Sequence, residues 1–204
     1  MANILTFFRI IVSLCIPIGY WLINNFLADF YKETFLLLLA ILFILASISD
    51  FLDGFIARKY DQETNIGKIL DPIADKLLVI ISLIILILSF EENLIIFFSS
   101  ILIIFREILI SGLREITKSS GLILDVTKLS KWKTAAQLAS IILLFINISN
   151  YNNSYPELIF PLWFYEFSYL TGNVLILIAS LLSILSAYKY IIGTINFMKE
   201  KDKM

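Results

Sequence analysis

Long apolar runs separated by short polar interruptions make up most of the chain. A helix needs roughly 20 apolar residues to cross a hydrocarbon core of about 30 Å. Six stretches are long enough: residues 8–28, 34–58, 70–90, 93–116, 131–150 and 168–196. No Pro-, Gly- or Ser-rich linker, low-complexity tract or internal repeat divides them. The first stretch lacks the basic flank and the small-residue cleavage site of a secretory signal, so it is expected to be a span. The pattern predicts an all-α, polytopic membrane protein. Residues 1–204 are expected to form one membrane domain of six transmembrane helices.

Charge then orients the predicted bundle. On one side fall Arg9, Arg58, Lys59, Lys68, Arg114, Lys118, Lys128, Lys131, Lys133, Lys189, Lys199, Lys201 and Lys203. The other side has only Lys32, while Lys76 and Arg106 lie inside spans. Lys and Arg collect on the cytoplasmic side of membrane proteins. Both termini are therefore expected in the cytoplasm, as an even number of spans requires. Tyr151, Tyr155, Trp163, Tyr165 and Tyr169 fall on the outer side and read as an interfacial aromatic belt.

Composition narrows the chemistry. Of the 204 residues, 59% are hydrophobic and 16% charged, with one cysteine and no histidine. A Ser-His-Asp triad, a Cys-His pair, a His-based metal site and a disulfide are all excluded. Cys15 falls in the first span and reads as a small buried hydrophobe. A net charge of −1 gives no global basic field for nucleic acid. Carboxylates, cations, hydroxyls and a metal held by carboxylates are what is left for catalysis.

Four aspartates break the apolar pattern. Asp50 and Asp53 fall late in the second span, and Asp71 and Asp75 at the start of the third. Spacings of three and four put each pair on one helix face. Antiparallel helices would turn the two faces toward each other. Asp50 lies about 15 residues past Phe35, or roughly 22 Å along a helix, which places the acids toward the cytoplasmic end. Carboxylates in a span are expensive and by default functional, and Asp50 and Asp53 also meet the negative end of the helix dipole. One reading makes them solvated helix-end charges paired with Arg58, Lys59, Lys68 and Lys76. In the other, a divalent cation resolves the repulsion. Oxygen-only donors then favour Mg²⁺ or Mn²⁺.

The wider spacing is Asp50-x-x-Asp53-Gly54-x-x-Ala57-Arg58, then eight residues, then Gly67-x-x-x-Asp71-x-x-x-Asp75. It resembles, gap included, the signature of the CDP-alcohol phosphatidyltransferase family. The small residues suit such a site. Gly54, Ala57 and Gly67 remove bulk beside the acids, so a large ligand can approach the backbone. Arg58 can fork onto a phosphate. The resemblance implies a metal site of two ions surrounded by Asp50, Asp53, Asp71 and Asp75. It implies Asp75 as general base and a CDP-lipid cradle of Asp53, Gly54, Ala57, Arg58 and Gly67. It also implies a homodimer.

Three further segments bear on the acceptor alcohol. Asn3-Ile4-Leu5-Thr6-Phe7-Phe8-Arg9, with Pro17 downstream, is similar to the opening of the bacterial phosphatidylglycerophosphate synthases of that family, with Ala2 in place of their usual Pro. It also suits an interfacial helix start. Phe105-Arg106-Glu107 followed by Ser111-Gly112-Leu113-Arg114-Glu115 resembles their fourth helix. There, Arg106 must either pair with Glu107 or Glu115, or bind an anion. Lys131-Trp132-Lys133-Thr134 partly matches their basic run and equally suits a positive-inside anchor. Together, Arg106, Arg114, Lys131 and Lys133 would form a phosphate pocket for a small anionic acceptor. The last span carries no motif.

The resemblance implies transfer of a phosphatidyl group from CDP-diacylglycerol to glycerol 3-phosphate at the cytoplasmic face of the cell membrane, with release of CMP. The alternatives keep the chemistry and change the acceptor, as in a cardiolipin, phosphatidylserine or inositol-phosphate-type synthase. A reading from another class is a divalent-cation transporter. Its coupling site would be expected at the bilayer midplane rather than at one end.

Overall fold

Six helices follow one another: α1 (Ala2–Phe26), α2 (Asp29–Tyr60), α3 (Asn65–Ser89), α4 (Leu94–Ser119), α5 (Lys128–Tyr151) and α6 (Leu162–Lys201). The computed structural model describes residues 2–60, 65–119, 128–151 and 159–201. Within these it does not describe the side chains of 2–4, 29–30, 50–60, 65–69, 118–119, 128, 149–151, 189, 196–197 and 200–201. All six helices are long and apolar enough to cross a membrane. The protein is an all-α, multi-pass membrane protein, as the hydrophobic pattern predicts.

The helices form a ring in the order α1, α2, α5, α6, α4, α3, and α3 also touches α5 across the middle. Among the described residues α3 lies along α1 and touches α2 only slightly. The centre is filled by Phe43, Leu83, Leu86, Ile96, Ile103, Ile141, Leu144 and Phe145, all fully buried. The Phe43 and Phe145 rings meet at 5.7 Å and join α2 to α5. Buried serines let the helices approach closely, since small residues are favoured where helices pack inside a bilayer. Several satisfy their hydroxyls on their own helix: Ser82 donates to the Leu78 carbonyl at 2.8 Å and Ser140 to that of Gln137 at 2.8 Å.

Polar clamps close the end of the bundle away from the chain termini. The Asn93 side-chain oxygen caps α4, accepting from the Ile95 and Ile96 amides. Its NH₂ donates to the Tyr169 hydroxyl at 2.6 Å and to Asn173 Oδ1 at 2.8 Å. Glu33 of α2 is buried. It accepts from the Tyr165 hydroxyl and from the Ile159 amide, the latter at 2.9 Å.

Three expectations change. α6 begins at Leu162, six residues before the predicted 168, because the Phe164 amide bonds the Pro161 carbonyl at 2.9 Å and winds the aromatic segment into a first turn. Tyr165 is consequently no belt residue. It is fully buried against Glu33, whereas Trp163 on the next face is exposed. The side chain of Tyr151 and the whole of Tyr155 lie outside the described residues. Cys15, expected inside, is exposed on the outer surface of α1. Its neighbours Leu14 and Ile18 are exposed too, since lipid accepts a thiol as readily as a core does. The 40 residues of α6 span about 60 Å, twice the hydrocarbon core, so the helix runs well beyond it.

Two glycines differ in a way that can be measured. A Cβ on Gly172 would stand 2.9 Å from the Leu144 side chain, which is fully buried and has nowhere to go. A Cβ on Gly112 would meet nothing within 4 Å. Gly172→Ala is expected to lower the unfolding free energy by about 1–3 kcal/mol, read from SDS titration of the protein in mixed micelles. Gly112→Ala should be neutral or slightly stabilising, by up to about 1 kcal/mol. Equal effects would contradict the α5–α6 packing.

Candidate functional site

At the end of the bundle bearing the termini, α1 and α3 face each other through two charged stripes. Thr6 and Arg9 are three residues apart on α1, and Asp71 and Asp75 four apart on α3, so each pair occupies one helix face. Arg9 is 1% exposed. One guanidinium nitrogen donates to Asp75 Oδ1, and the other lies 3.3 Å from Asp71 Oδ1. The Thr6 hydroxyl donates to the same Asp71 oxygen. The two carboxylates are 41% and 43% exposed. Arg9 thus covers them from the protein side and leaves them accessible from the other.

Asp50, Asp53, Gly54, Ala57 and Arg58 fall in the last turns of α2, and Gly67 in the first turn of α3. Their side chains lie outside the described residues. Among the described residues no three acidic side chains gather into a metal site. Asp71 and Asp75 nonetheless suit a hard divalent cation. Their donors are carboxylate oxygens, and they sit on successive turns of one helix face.

A second charged group lies beside the first. Glu107 of α4 accepts from the Lys133 ammonium of α5 and from Arg106 Nη1, the latter at 3.1 Å. Arg106 Nη2 donates to the Ser186 hydroxyl of α6 at 3.2 Å. Lys133 is almost fully buried. The Arg114 guanidinium is exposed and lies 6.0 Å above the Tyr190 ring. Lys76 follows Asp75 on α3 and feels the charges of Asp75, Glu107, Arg114 and Glu115. Arg106 and Arg114 both act on Lys133. Among the described residues of this group Lys76, Arg106, Arg114 and Lys133 outnumber Glu107 and Glu115, leaving an excess of positive charge next to Asp71 and Asp75.

Three of the four cations expected in the acceptor pocket therefore come together: Arg106, Arg114 and Lys133. Lys131 is exposed at the start of α5 and takes no part in the contacts that bind this group. The internal Arg106–Glu107 ion pair that the sequence left open is present. The main departures concern partners. Asp71 and Asp75 pair with Arg9, which the sequence offered only as a helix-opening residue. The α6 span, which carries no motif, supplies Ser186. Two signals for these roles were in the chain: Thr6 and Arg9 share a face at helical spacing, and Lys76 is a cation inside a span directly after an aspartate.

The sequence model of the family described as CDP-alcohol phosphatidyltransferase matches residues 1–185. A protein of Rickettsia felis named CDP-diacylglycerol–glycerol-3-phosphate 3-phosphatidyltransferase is 36% identical over 190 residues, covering 93% of this chain and 92% of its own. Proteins of the same name from Cereibacter sphaeroides and Bacillus subtilis are 40% and 42% identical over 144 and 125 residues. Those matches cover 71% and 61% of this chain, and 62% and 63% of the relatives' own length. The chain belongs to the CDP-alcohol phosphatidyltransferase family.

Proposed function

We propose that this protein transfers the phosphatidyl group of CDP-diacylglycerol to glycerol 3-phosphate, releasing CMP and forming phosphatidylglycerophosphate. The observation that carries this reading is the juxtaposition at one bundle end: inward-facing carboxylates on α3, and beside them a cation-rich cluster drawn from α3, α4 and α5. The carboxylates suit a divalent ion that would neutralise a pyrophosphate, and the cation excess suits an acceptor that carries its own phosphate. The relatives' names support the same pair of substrates.

Each residue has a role in this reading. Asp50, Asp53, Asp71 and Asp75 hold Mg²⁺ or Mn²⁺, which when bound neutralises the pyrophosphate of the donor. Asp53, Gly54, Ala57, Arg58 and Gly67 receive the cytidine nucleotide. Arg106, Arg114 and Lys133 receive the phosphate of the acceptor, and a guanidinium can hold it with two parallel bonds. Asp75 takes the proton from the acceptor hydroxyl. The hydroxyl oxygen forms a bond to the lipid-side phosphorus as the bond to CMP breaks, and CMP carries off the electron pair. Phosphoryl-type transfer needs positioning and charge neutralisation more than a covalent nucleophile, which suits a chain without histidine. By its Lys and Arg bias this end faces the cytoplasm, where glycerol 3-phosphate is dissolved.

CMP release by the purified protein, given CDP-diacylglycerol and Mg²⁺, tests the acceptor. Glycerol 3-phosphate should support it. Release with serine, inositol phosphate or phosphatidylglycerol but not with glycerol 3-phosphate would overturn the assignment. The base is tested separately. Asp75→Asn should lower kcat by about a hundredfold to ten-thousandfold while CDP-diacylglycerol still binds. Unchanged turnover would remove Asp75 from the chemistry.

A further inference from the structure

The carboxylates assigned above to the metal already hold a cation. Arg9 brings its guanidinium to Oδ1 of both Asp71 and Asp75 from a position 1% exposed. A guanidinium does not lose its proton in a protein, so this charge is permanent. Thr6 adds a neutral donor to the same Asp71 oxygen. Two consequences follow from these contacts. The aspartates keep their spacing without a metal, because Arg9 offsets their mutual repulsion. A divalent ion that uses the same oxygens has to draw them away from the guanidinium and then sit against its charge.

We propose that Arg9 is the resident counter-ion of the carboxylate site: it positions Asp71 and Asp75 in the metal-free protein and weakens their grip on a divalent ion. This rests on the assignment of Asp71 and Asp75 as metal ligands. The guanidinium charge also ties the metal to the substrate. A pyrophosphate contributes negative charge of its own, so the ion and the CDP-lipid bind together more readily than the ion alone.

The probe is Mn²⁺ alone, titrated into the full chain in detergent without CDP-lipid, with free ion read by electron paramagnetic resonance. Arg9→Gln should bind Mn²⁺ at least about tenfold more tightly than wild type, the size expected even with water-like screening when a unit charge about 6 Å from a divalent ion is removed. Arg9→Lys, which keeps the charge, should stay closer to wild type. A residue that only braces α1 against α3 would do the reverse, since its loss would loosen the carboxylates and weaken binding. Mn²⁺ affinity unchanged or weakened in Arg9→Gln, but lost in Asp71→Asn, overturns the role of Arg9 and leaves the metal ligands standing. Binding that survives Asp71→Asn unchanged overturns the ligand assignment, and this inference with it. A measurement on the wild type needs no variant to fold. The guanidinium ¹⁵N signals of Arg9 should shift on titration with Mg²⁺, and signals that stay fixed at saturating Mg²⁺ would contradict the proposal.

Discussion

An ionised side chain inside a helix bundle has no water to solvate it and must find its counter-charge on a neighbouring helix. The Arg9–Asp71–Asp75 contact meets this constraint between α1 and α3. The Lys133–Glu107–Arg106 contact meets it among α5, α4 and, through Ser186, α6. Each does more than neutralise. It fixes the rotation of the helices that carry it, which apolar packing in lipid leaves weakly determined because lipid tails and leucine side chains are equally apolar. The charged contacts thus set which faces of α1, α3, α4 and α5 look into the bundle, and the apolar core fills in behind them.

These internal pairs also prepare the site for its proposed ligands. Carboxylates held by an arginine can exchange that partner for a metal. Cations held by Glu107 can exchange it for a phosphate. In both cases the protein meets the cost of burying charge before the substrate arrives, so binding replaces one ionic partner by another and does not strand a bare charge. Lys76 feels the charges of Asp75 in the first group and of Glu107 and Arg114 in the second, so the carboxylate and cation regions are electrostatically coupled.

Much of this was legible in the chain. Six apolar runs became six helices, and the acidic motif and the cations of the fourth and fifth spans pointed to one end of the bundle. What the chain concealed has a common cause. In a soluble protein the buried face of a helix is the apolar one, but here both faces are apolar. Cys15 therefore gave no sign of facing outward, nor Tyr165 of facing inward. The α6 span looked featureless because Ser186 is an ordinary residue whose role appears only when Arg106 reaches it. Arg9 and the aspartates stand more than sixty residues apart, and no local spacing links them; only the packing of α1 along α3 does.

In the proposed reaction the acceptor hydroxyl attacks the phosphatidyl phosphorus directly, with carboxylates and cations positioning it and no enzyme-bound intermediate. The most direct test is the stereochemistry of the transferred phosphorus, using CDP-diacylglycerol made chiral there with sulfur and glycerol 3-phosphate as acceptor. A single in-line displacement predicts inversion of configuration in the phosphatidylglycerophosphate formed. Retention would mean two displacements through a covalent enzyme intermediate and would contradict the account.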